Sequence, residues 1–143
     1  MLTLKQIINN TARFGPDRFD YAAGSVRTSS FKFGIVKSEK LIRAICKTWS
    51  ERIDGSWKQT QYATVIDFVS PKGYVTVSCS CPDFCFRFEY ALAKKGASAI
   101  RYCNGESPGV RNPSLIAGCC KHIVKLTDLL LDKKKIDREF LLR

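Results

Sequence analysis

The chain has 143 residues, of which 45% are hydrophobic and 26% are charged, so it can bury one ordinary core and is not disordered throughout. Its 24 basic and 13 acidic residues give a net charge of +11, which attracts nucleic acid or other anionic partners but does not encode sequence readout. Residues 1–15 hold only short apolar runs, so we expect no signal peptide, no membrane span or membrane partner, and an intracellular location.

The first predicted element is a short amphipathic helix over residues 2–14. Leu4 and Ile7 recur at helical spacing, and Thr3 precedes them as an N-cap candidate. The helix is expected to end at Gly15, because the proline that follows cannot continue it.

The next two stretches are less clearly patterned. Residues 18–37 mix aromatic and small residues around two glycines, which indicates loops with one strand over residues 31–36. Residues 40–50 fit both helical spacing and strand alternation. We favour a strand there because two strand patterns follow it in the chain.

Three strands are predicted to form an antiparallel meander that ends at the first cysteine pair. Residues 62–69 are β-branched and aromatic, a Pro-Lys-Gly turn occupies residues 71–73, and Tyr74–Cys79 alternates again. The loop over residues 52–60 holds an isolated Trp57. We expect this side chain to fold back over the sheet rather than to contact a base or a partner.

Helices are predicted on both sides of an irregular stretch in the second half. Pro82-Asp83 begins an amphipathic helix that ends near Gly96, and glycines and prolines make residues 102–114 a loop. A last apolar helix begins at Gly118, and residues 133–143 are expected to form a basic helical tail. The anchors of that tail are Ile136, Phe140 and Leu141.

Seven cysteines and one histidine carry the strongest chemical signal. Without a secretory signal, an odd number of cysteines favours reduced thiols and metal ligation over a disulfide framework. Cys79 and Cys81 form a C-x-C pair, and Cys120 and His122 form a C-x-H pair. Three thiolates and one imidazole are a complete ligand set for one tetrahedral Zn²⁺.

Both pairs suit the elements that are predicted to carry them. Alternate residues at an extended strand end point to one side, so Cys79 and Cys81 can reach one metal. At a helix start, amide N–H groups stabilise the thiolate of Cys120, while His122 offers a neutral imidazole from the same turn. Zinc would then cross-link stretches far apart in sequence, and loss of any ligand should loosen the fold.

The remaining cysteines leave the ligand set open. Cys119 is the main rival of its neighbour Cys120. Cys85 would complete an all-cysteine site if the histidine pointed away, and Cys103 also lies in this segment. Cys46 lies in a hydrophobic stretch and is most simply a buried thiol.

The predicted fold is α+β: a small antiparallel β-meander followed by helices and cross-linked by one structural zinc. The whole chain, residues 1–143, is interpreted as a single domain. Its three parts are an N-terminal helix and β/loop region, a zinc module and a basic C-terminal tail. They occupy residues 1–58, 59–132 and 133–143.

The order C-x-C, variable insert, C-x-H resembles the SWIM-type zinc-binding module, including the strands before it and the apolar helix after it. Residues 60–130 are similar to small SWIM-like proteins of tailed bacteriophages. That similarity depends on CSCPDF at residues 79–84, NPSL at 112–115 and GCCKH at 118–122. The extra cysteines depart from the minimal pattern. The resemblance implies a zinc module used for DNA or protein contacts, and no reaction.

The sequence favours a non-catalytic protein. Four strong ligands close the metal site and use the single histidine, so neither enzyme activity nor a small-molecule substrate is expected. With the phage resemblance, the favoured interpretation is a structural or interaction protein of a virion or another large assembly. Its partners would be other proteins of that assembly, and the virion would be a second location.

The alternative is a DNA- or RNA-binding zinc module with electrostatic, weakly sequence-specific binding through phosphates. No helix has the run of basic and amide residues that base readout uses. Nine basic residues in the metal segment are the candidate contacts. They are Lys94, Lys95, Arg101, Arg111, Lys121, Lys125, Lys133, Lys134 and Lys135.

Overall fold

A computed structural model describes residues 1–50 and 60–137 of the chain. The fold is α+β, with a five-stranded antiparallel sheet and four α-helices, which confirms the predicted class. The strands are β1 (Leu2–Thr3), β2 (Val26–Val36), β3 (Leu41–Ser50), β4 (Tyr62–Phe68) and β5 (Tyr74–Cys79). The helices are α1 (Leu4–Phe14), α2 (Asp17–Ser25), α3 (Glu89–Lys94) and α4 (Lys121–Asp132), and a π-helical turn, Phe84–Phe88, leads into α3.

The predicted meander forms the middle of the sheet. The strand order is β1-β5-β4-β3-β2, so β3, β4 and β5 are consecutive neighbours. Two further strands extend the meander: β2 pairs with β3, and the short β1 pairs with β5. The strand interpretation of residues 40–50 is confirmed, because Leu41–Ser50 pairs with a strand on each side and every second side chain from Ala44 to Ser50 is buried.

One face of the sheet and the helices enclose the core. Ala44 lies opposite Ile66, which lies opposite Val77, and all three are buried. Helix α4 contacts four of the strands and buries apolar side chains that include Leu126 and Leu130. The residues that precede β4 and those that follow it therefore share one apolar core.

Helix α1 begins and ends as predicted. The Thr3 hydroxyl accepts a hydrogen bond from the Gln6 backbone N–H at 3.2 Å, and the Gln6 side chain accepts one from Thr3 N–H at 2.8 Å. This capping box satisfies backbone donors that a helix start leaves without partners. The helix then buries Leu4 and Ile7 against the core.

The loop prediction for residues 18–37 is wrong. Residues 17–25 form helix α2, and the strand predicted from residue 31 already begins at Val26. The helix has acidic residues in its first turn but fully buries only Ala22, so its apolar pattern is weak. Packing against α4 stabilises it instead. A bulge between Ser29 and Lys32, with Ser30 at φ 56°, interrupts the alternation of β2.

The second half follows the prediction except at its end. Phe84, Phe88 and Leu92 are buried on one face of the turn and α3, as the amphipathic pattern indicated. Residues 133–137 are not helical, because Lys134 takes a left-handed conformation at φ 56° and α4 stops at Asp132.

Of the four apolar residues singled out in the loop and the tail, one lies in the described part of the chain. Ile136 packs against the core as an anchor. The predicted positions of Trp57, Phe140 and Leu141 lie outside the described residues. Among residues 1–50 and 60–137, no helix is long and apolar enough to cross a membrane.

Candidate metal centre

The structure brings together the four side chains that the sequence pattern selected. The ligand atoms of Cys79, Cys81, Cys120 and His122 all lie within 4.8 Å of one another. In a tetrahedral site with zinc–sulfur bonds of about 2.3 Å, neighbouring ligand atoms are about 3.8 Å apart. Small side-chain adjustments are therefore enough to close the set around one ion. Within the described part of the chain, this is the one His, Cys, Asp or Glu group with such geometry.

Two backbone elements deliver the ligands. Cys79 is the last residue of β5, and Cys81 follows it by two positions. Cys120 is the extended N-cap of α4, and His122 lies in the first turn of that helix. All three thiols are buried and the imidazole is only 3% exposed. The cluster thus joins the end of the sheet to the start of the last helix, away from water.

Each ring nitrogen of His122 has a different neighbour. Nδ1 lies 3.7 Å from Cys79 Sγ, and Nε2 lies 3.1 Å from the hydroxyl oxygen of Ser50. Nδ1 is therefore the nitrogen that faces the thiols, and the Nε2–H group can donate to Ser50. A second hydrogen bond of this kind fixes the tautomer and the ring orientation of a metal-bound histidine.

Hydroxyl and backbone groups also reach the cysteine sulfurs. The Thr64 hydroxyl lies 3.5 Å from Cys79 Sγ, and the Thr48 hydroxyl lies 2.9 Å from that of Thr64. The backbone N–H of Phe84 donates to Cys81 Sγ at 3.4 Å. Because a metal-bound thiolate only accepts hydrogen bonds, Thr64 must donate to Cys79 in that state, and Thr48 then donates to Thr64.

The three clustered thiols differ in how tightly they hold their protons, since the pKa of Cys79 is lowered whereas those of Cys81 and Cys120 are raised. Burial raises the pKa of Cys79, but hydrogen bonds outweigh this effect and hold the pKa well below its usual range. The donors are the thiols of Cys120 and Cys81 and the Thr64 hydroxyl. Burial, together with the neighbouring Cys79, raises the pKa of Cys120 well above its usual range. The thiols thus share negative charge unequally, and a dication among them would favour all three thiolates.

The rival cysteines lie outside the cluster. Cys119 Sγ lies 3.3 Å from the Thr11 hydroxyl, which also accepts a hydrogen bond from the Cys119 backbone N–H at 2.8 Å. Burial raises the pKa of Cys119 to about 12, and it does the same for Cys46. Cys85 and Cys103 are half-buried elsewhere, and all seven cysteines are free. The geometry therefore places Cys120, and not Cys119, among the ligands.

An ion pair braces the first ligand pair. The guanidinium of Arg18 donates two hydrogen bonds to the carboxylate of Asp83, at 2.9 and 2.8 Å. Arg18 also lies over the rings of Phe14 and Phe88. Because Asp83 follows Cys81 by two residues, α2 holds the chain in place just after the C-x-C pair. Sequence reasoning missed Arg18, since it missed α2.

The nine predicted basic residues lie in two parts of the chain. Seven of them are exposed, while Lys121 and Lys125 are half-buried on α4. Lys121, Lys133 and Lys135 lie over aromatic rings of α2 and β2, whereas Arg111 lies over Phe86. Five of the nine thus belong to α4 and the turn after it, and four belong to the insert between the ligand pairs.

No protein-family model, curated protein or solved structure matches this chain. The metal centre is accordingly supported by its own donor atoms, their burial and their hydrogen bonds. Three thiols and one imidazole with these distances form a buried group that can hold a metal ion.

Proposed function

We propose that this chain is a non-catalytic, zinc-binding structural and interaction protein. The observation that carries the proposal is the convergence of one imidazole and three thiols within 4.8 Å in the protein interior. Soft thiolate ligands in a tetrahedral arrangement suit Zn²⁺, whereas magnesium and calcium prefer oxygen ligands. The residues that would hold the ion are Cys79, Cys81, Cys120 and His122.

A closed ligand set supports a structural role for the ion. Catalytic zinc sites leave one position open for water or substrate, whereas structural sites use four protein ligands. Here all four donors come from the chain, and the only histidine is one of them. When bound, zinc would link β5 to α4, and structural zinc contributes roughly 10–16 kcal/mol of apparent binding energy in small peptides.

The resemblance to SWIM-like phage proteins supports a role in a virion or another large assembly. A metal cross-link makes a small chain rigid enough to present a fixed surface to a protein partner. If the protein occupies an interface within a virion or another large assembly, it should co-purify with that assembly and remain attached as the salt concentration is raised. Release between 50 and 500 mM NaCl would instead indicate attachment through phosphates and would contradict this role.

The metal centre can be tested by ligand variants with a neighbouring control. Zinc content and thermal unfolding would be measured for the wild type, Cys120→Ser, His122→Ala and Cys119→Ser. We expect one zinc per chain in the wild type and in Cys119→Ser, because Cys119 contacts Thr11 outside the cluster. Cys120→Ser and His122→Ala should lose zinc and cooperative unfolding together.

Two results would overturn the zinc site. One is a wild-type protein, purified without chelators, that contains no zinc and takes up none. The other is equal zinc content in Cys119→Ser and Cys120→Ser.

A further inference from the structure

The insert between the ligand pairs carries a second feature, which is a cavity of about 480 Å³ with aromatic walls. It lies between the helical segment that follows Cys81 and the loop around residues 102–111. Three aromatic rings line it: Phe86, Tyr90 and Tyr102. Phe86 is 51% exposed and Tyr102 is 43% exposed. These rings are therefore open to a ligand and add little to the core.

Two cations lie over rings of this cavity. The guanidinium carbon of Arg111 lies 5.1 Å from the centre of the Phe86 ring, and the Lys94 ammonium lies 5.6 Å from the centre of the Tyr90 ring. One carboxylate, Glu106, also lines the cavity. Two of the three rings thus have a cation beside them.

A buried carboxylate fixes one wall of the cavity. Oε1 of Glu89, a fully buried residue, accepts hydrogen bonds from the backbone N–H groups of Arg101, Tyr102 and Cys103, at 2.9, 3.0 and 3.0 Å. A glutamate that bonds three consecutive amides holds that backbone in a single conformation. The backbone that carries the exposed ring of Tyr102 is therefore held in one position.

A buried amide fixes the other wall. The Asn112 side chain donates to the carbonyls of Arg87 and Ile116, at 2.7 and 2.9 Å, and accepts from Ile116 N–H at 3.0 Å. Arg111 is the residue immediately before this buried asparagine. The backbone that carries Tyr102 and Arg111 is thus ordered before any ligand arrives, which lowers the entropic cost of binding.

We propose that this surface, defined by Phe86, Tyr102, Arg111 and Lys94, binds single-stranded nucleic acid. Exposed rings accept unpaired bases by stacking, and nearby cations neutralise the phosphates that connect those bases. Bases within a duplex are already stacked and cannot reach the rings. The net charge of +11 favours the same polyanion at long range. This surface is distinct from the metal centre and does not depend on which metal is bound there.

Fluorescence anisotropy with labelled 12-mers tests the proposal. Oligo(dT), oligo(U) and a 12-base-pair duplex would be titrated with zinc-loaded protein at several NaCl concentrations from 50 to 300 mM. We expect a single strand to bind more tightly than the duplex, with affinity falling as salt rises. A preference for oligo(dT) or for oligo(U) would identify the sugar, and either one supports the surface.

Matched variants separate stacking from general electrostatics. Phe86→Leu keeps the apolar volume without the ring, and we expect it to weaken binding about 5- to 150-fold, as loss of one stacked base does. Arg111→Gln should weaken binding and flatten the salt dependence by about one unit of slope. Lys134→Gln removes the same charge from an exposed position after α4, and it should have a smaller effect than Arg111→Gln.

Three results would overturn the proposal. The first is an absence of saturable binding to oligo(dT) and to oligo(U) at 50 mM NaCl. The second is equal weakening by Arg111→Gln and Lys134→Gln with no effect of Phe86→Leu, which would show charge attraction alone. The third is tighter binding to the duplex than to both strands. Zinc content and melting temperature of each variant, measured on the same samples, distinguish these outcomes from a failure of the metal centre.

Discussion

At the scale of single residues, the hydroxyls on the inner face of the sheet need an explanation. Thr48, Ser50 and Thr64 are buried where an apolar side chain would pack equally well. A buried hydroxyl is costly unless it is hydrogen-bonded, and these bonds lead to two of the four ligands. The position of each hydroxyl is therefore explained by the ligand it contacts, directly or through its neighbour.

Ser50 provides the sharpest single-residue prediction. Ser50→Ala leaves the Nε2–H group of His122 without its acceptor in the interior, so the imidazole is no longer held with Nδ1 toward the thiols. We expect zinc affinity, measured by competition with a chelating dye, to fall about 10- to 100-fold. The matched control is Ser78→Ala. It truncates another buried serine, which lines a cavity that includes none of the four ligand side chains. Equal zinc affinities of Ser50→Ala and the wild type would contradict the positioning role.

Asp128 provides a prediction on pH. Burial raises the pKa of this carboxyl, and Lys125 offsets only part of the rise. The folded state then holds its proton more tightly than the unfolded state, so this group lowers stability as pH rises through the carboxyl range. The loss of stability is complete above the pKa of this group in the folded state, and there is no loss below its pKa in the unfolded state.

Asp128→Asn removes that cost. We expect this variant to unfold at a higher urea concentration than the wild type at pH 7. The gain in unfolding free energy should be less than about 1 kcal/mol. The gain should shrink as pH is lowered from 7 toward 5, because the wild-type carboxyl then takes up its proton. An asparagine variant that is less stable at pH 7 would show that the charged carboxylate is favourable where it lies.

At the scale of secondary-structure elements, a local sequence pattern predicts those elements that local interactions stabilise. Helix α1 has a capping box, and β3 to β5 have alternating side chains, so sequence alone located them. Helix α2 has one fully buried residue and depends on α4. No local pattern shows that dependence.

The metal site shows the same division between local and long-range information. Spacing alone selected the ligands, because C-x-C and C-x-H place donors at a strand end and a helix start. The C-x-H spacing favoured Cys120 but did not exclude its neighbour Cys119, whose side chain the structure places against Thr11. Nothing in the sequence indicated Thr64 and Ser50 as neighbours of the ligands. Thr64 reaches Cys79 through the pairing of β4 with β5, and Ser50 reaches His122 from the end of β3.

The insert loop provides a prediction at this scale. Glu89→Ala would leave three backbone N–H groups without their acceptor, at a cost of about 2–4 kcal/mol in unfolding free energy. Glu89→Gln keeps a carbonyl oxygen in the same place and should cost less. Hydrogen exchange at residues 101–103 should accelerate in Glu89→Ala while zinc content stays at the wild-type value. Unchanged exchange at those amides would show that the carboxylate does not hold the loop.

At the scale of the whole molecule, the sheet and the metal centre connect the chain in different ways. Strands β1 and β3 lie before residue 51 and pair with β5 and β4, so hydrogen bonds join the two halves without a metal. The insert and the start of α4 lack such a ladder among the described residues. The insert is joined to β5 by the hydrogen bond from Val77 N–H to the Ala97 carbonyl at 2.9 Å. The start of α4 is held next to β5 by side-chain packing and by the ligand cluster.

Removing zinc should therefore weaken the protein unevenly. In excess EDTA we expect a lower melting temperature and a broader transition, because binding to the folded state alone stabilises it in proportion to the logarithm of free zinc. Hydrogen exchange should accelerate most at the first turn of α4 and around Cys81, and least in β3 and β4. Added Zn²⁺ should restore the wild-type values, whereas Mg²⁺, which prefers oxygen ligands, should not. Uniform acceleration throughout the sheet would mean instead that the metal centre is required for the whole fold, and that the shared apolar core cannot hold the strands by itself.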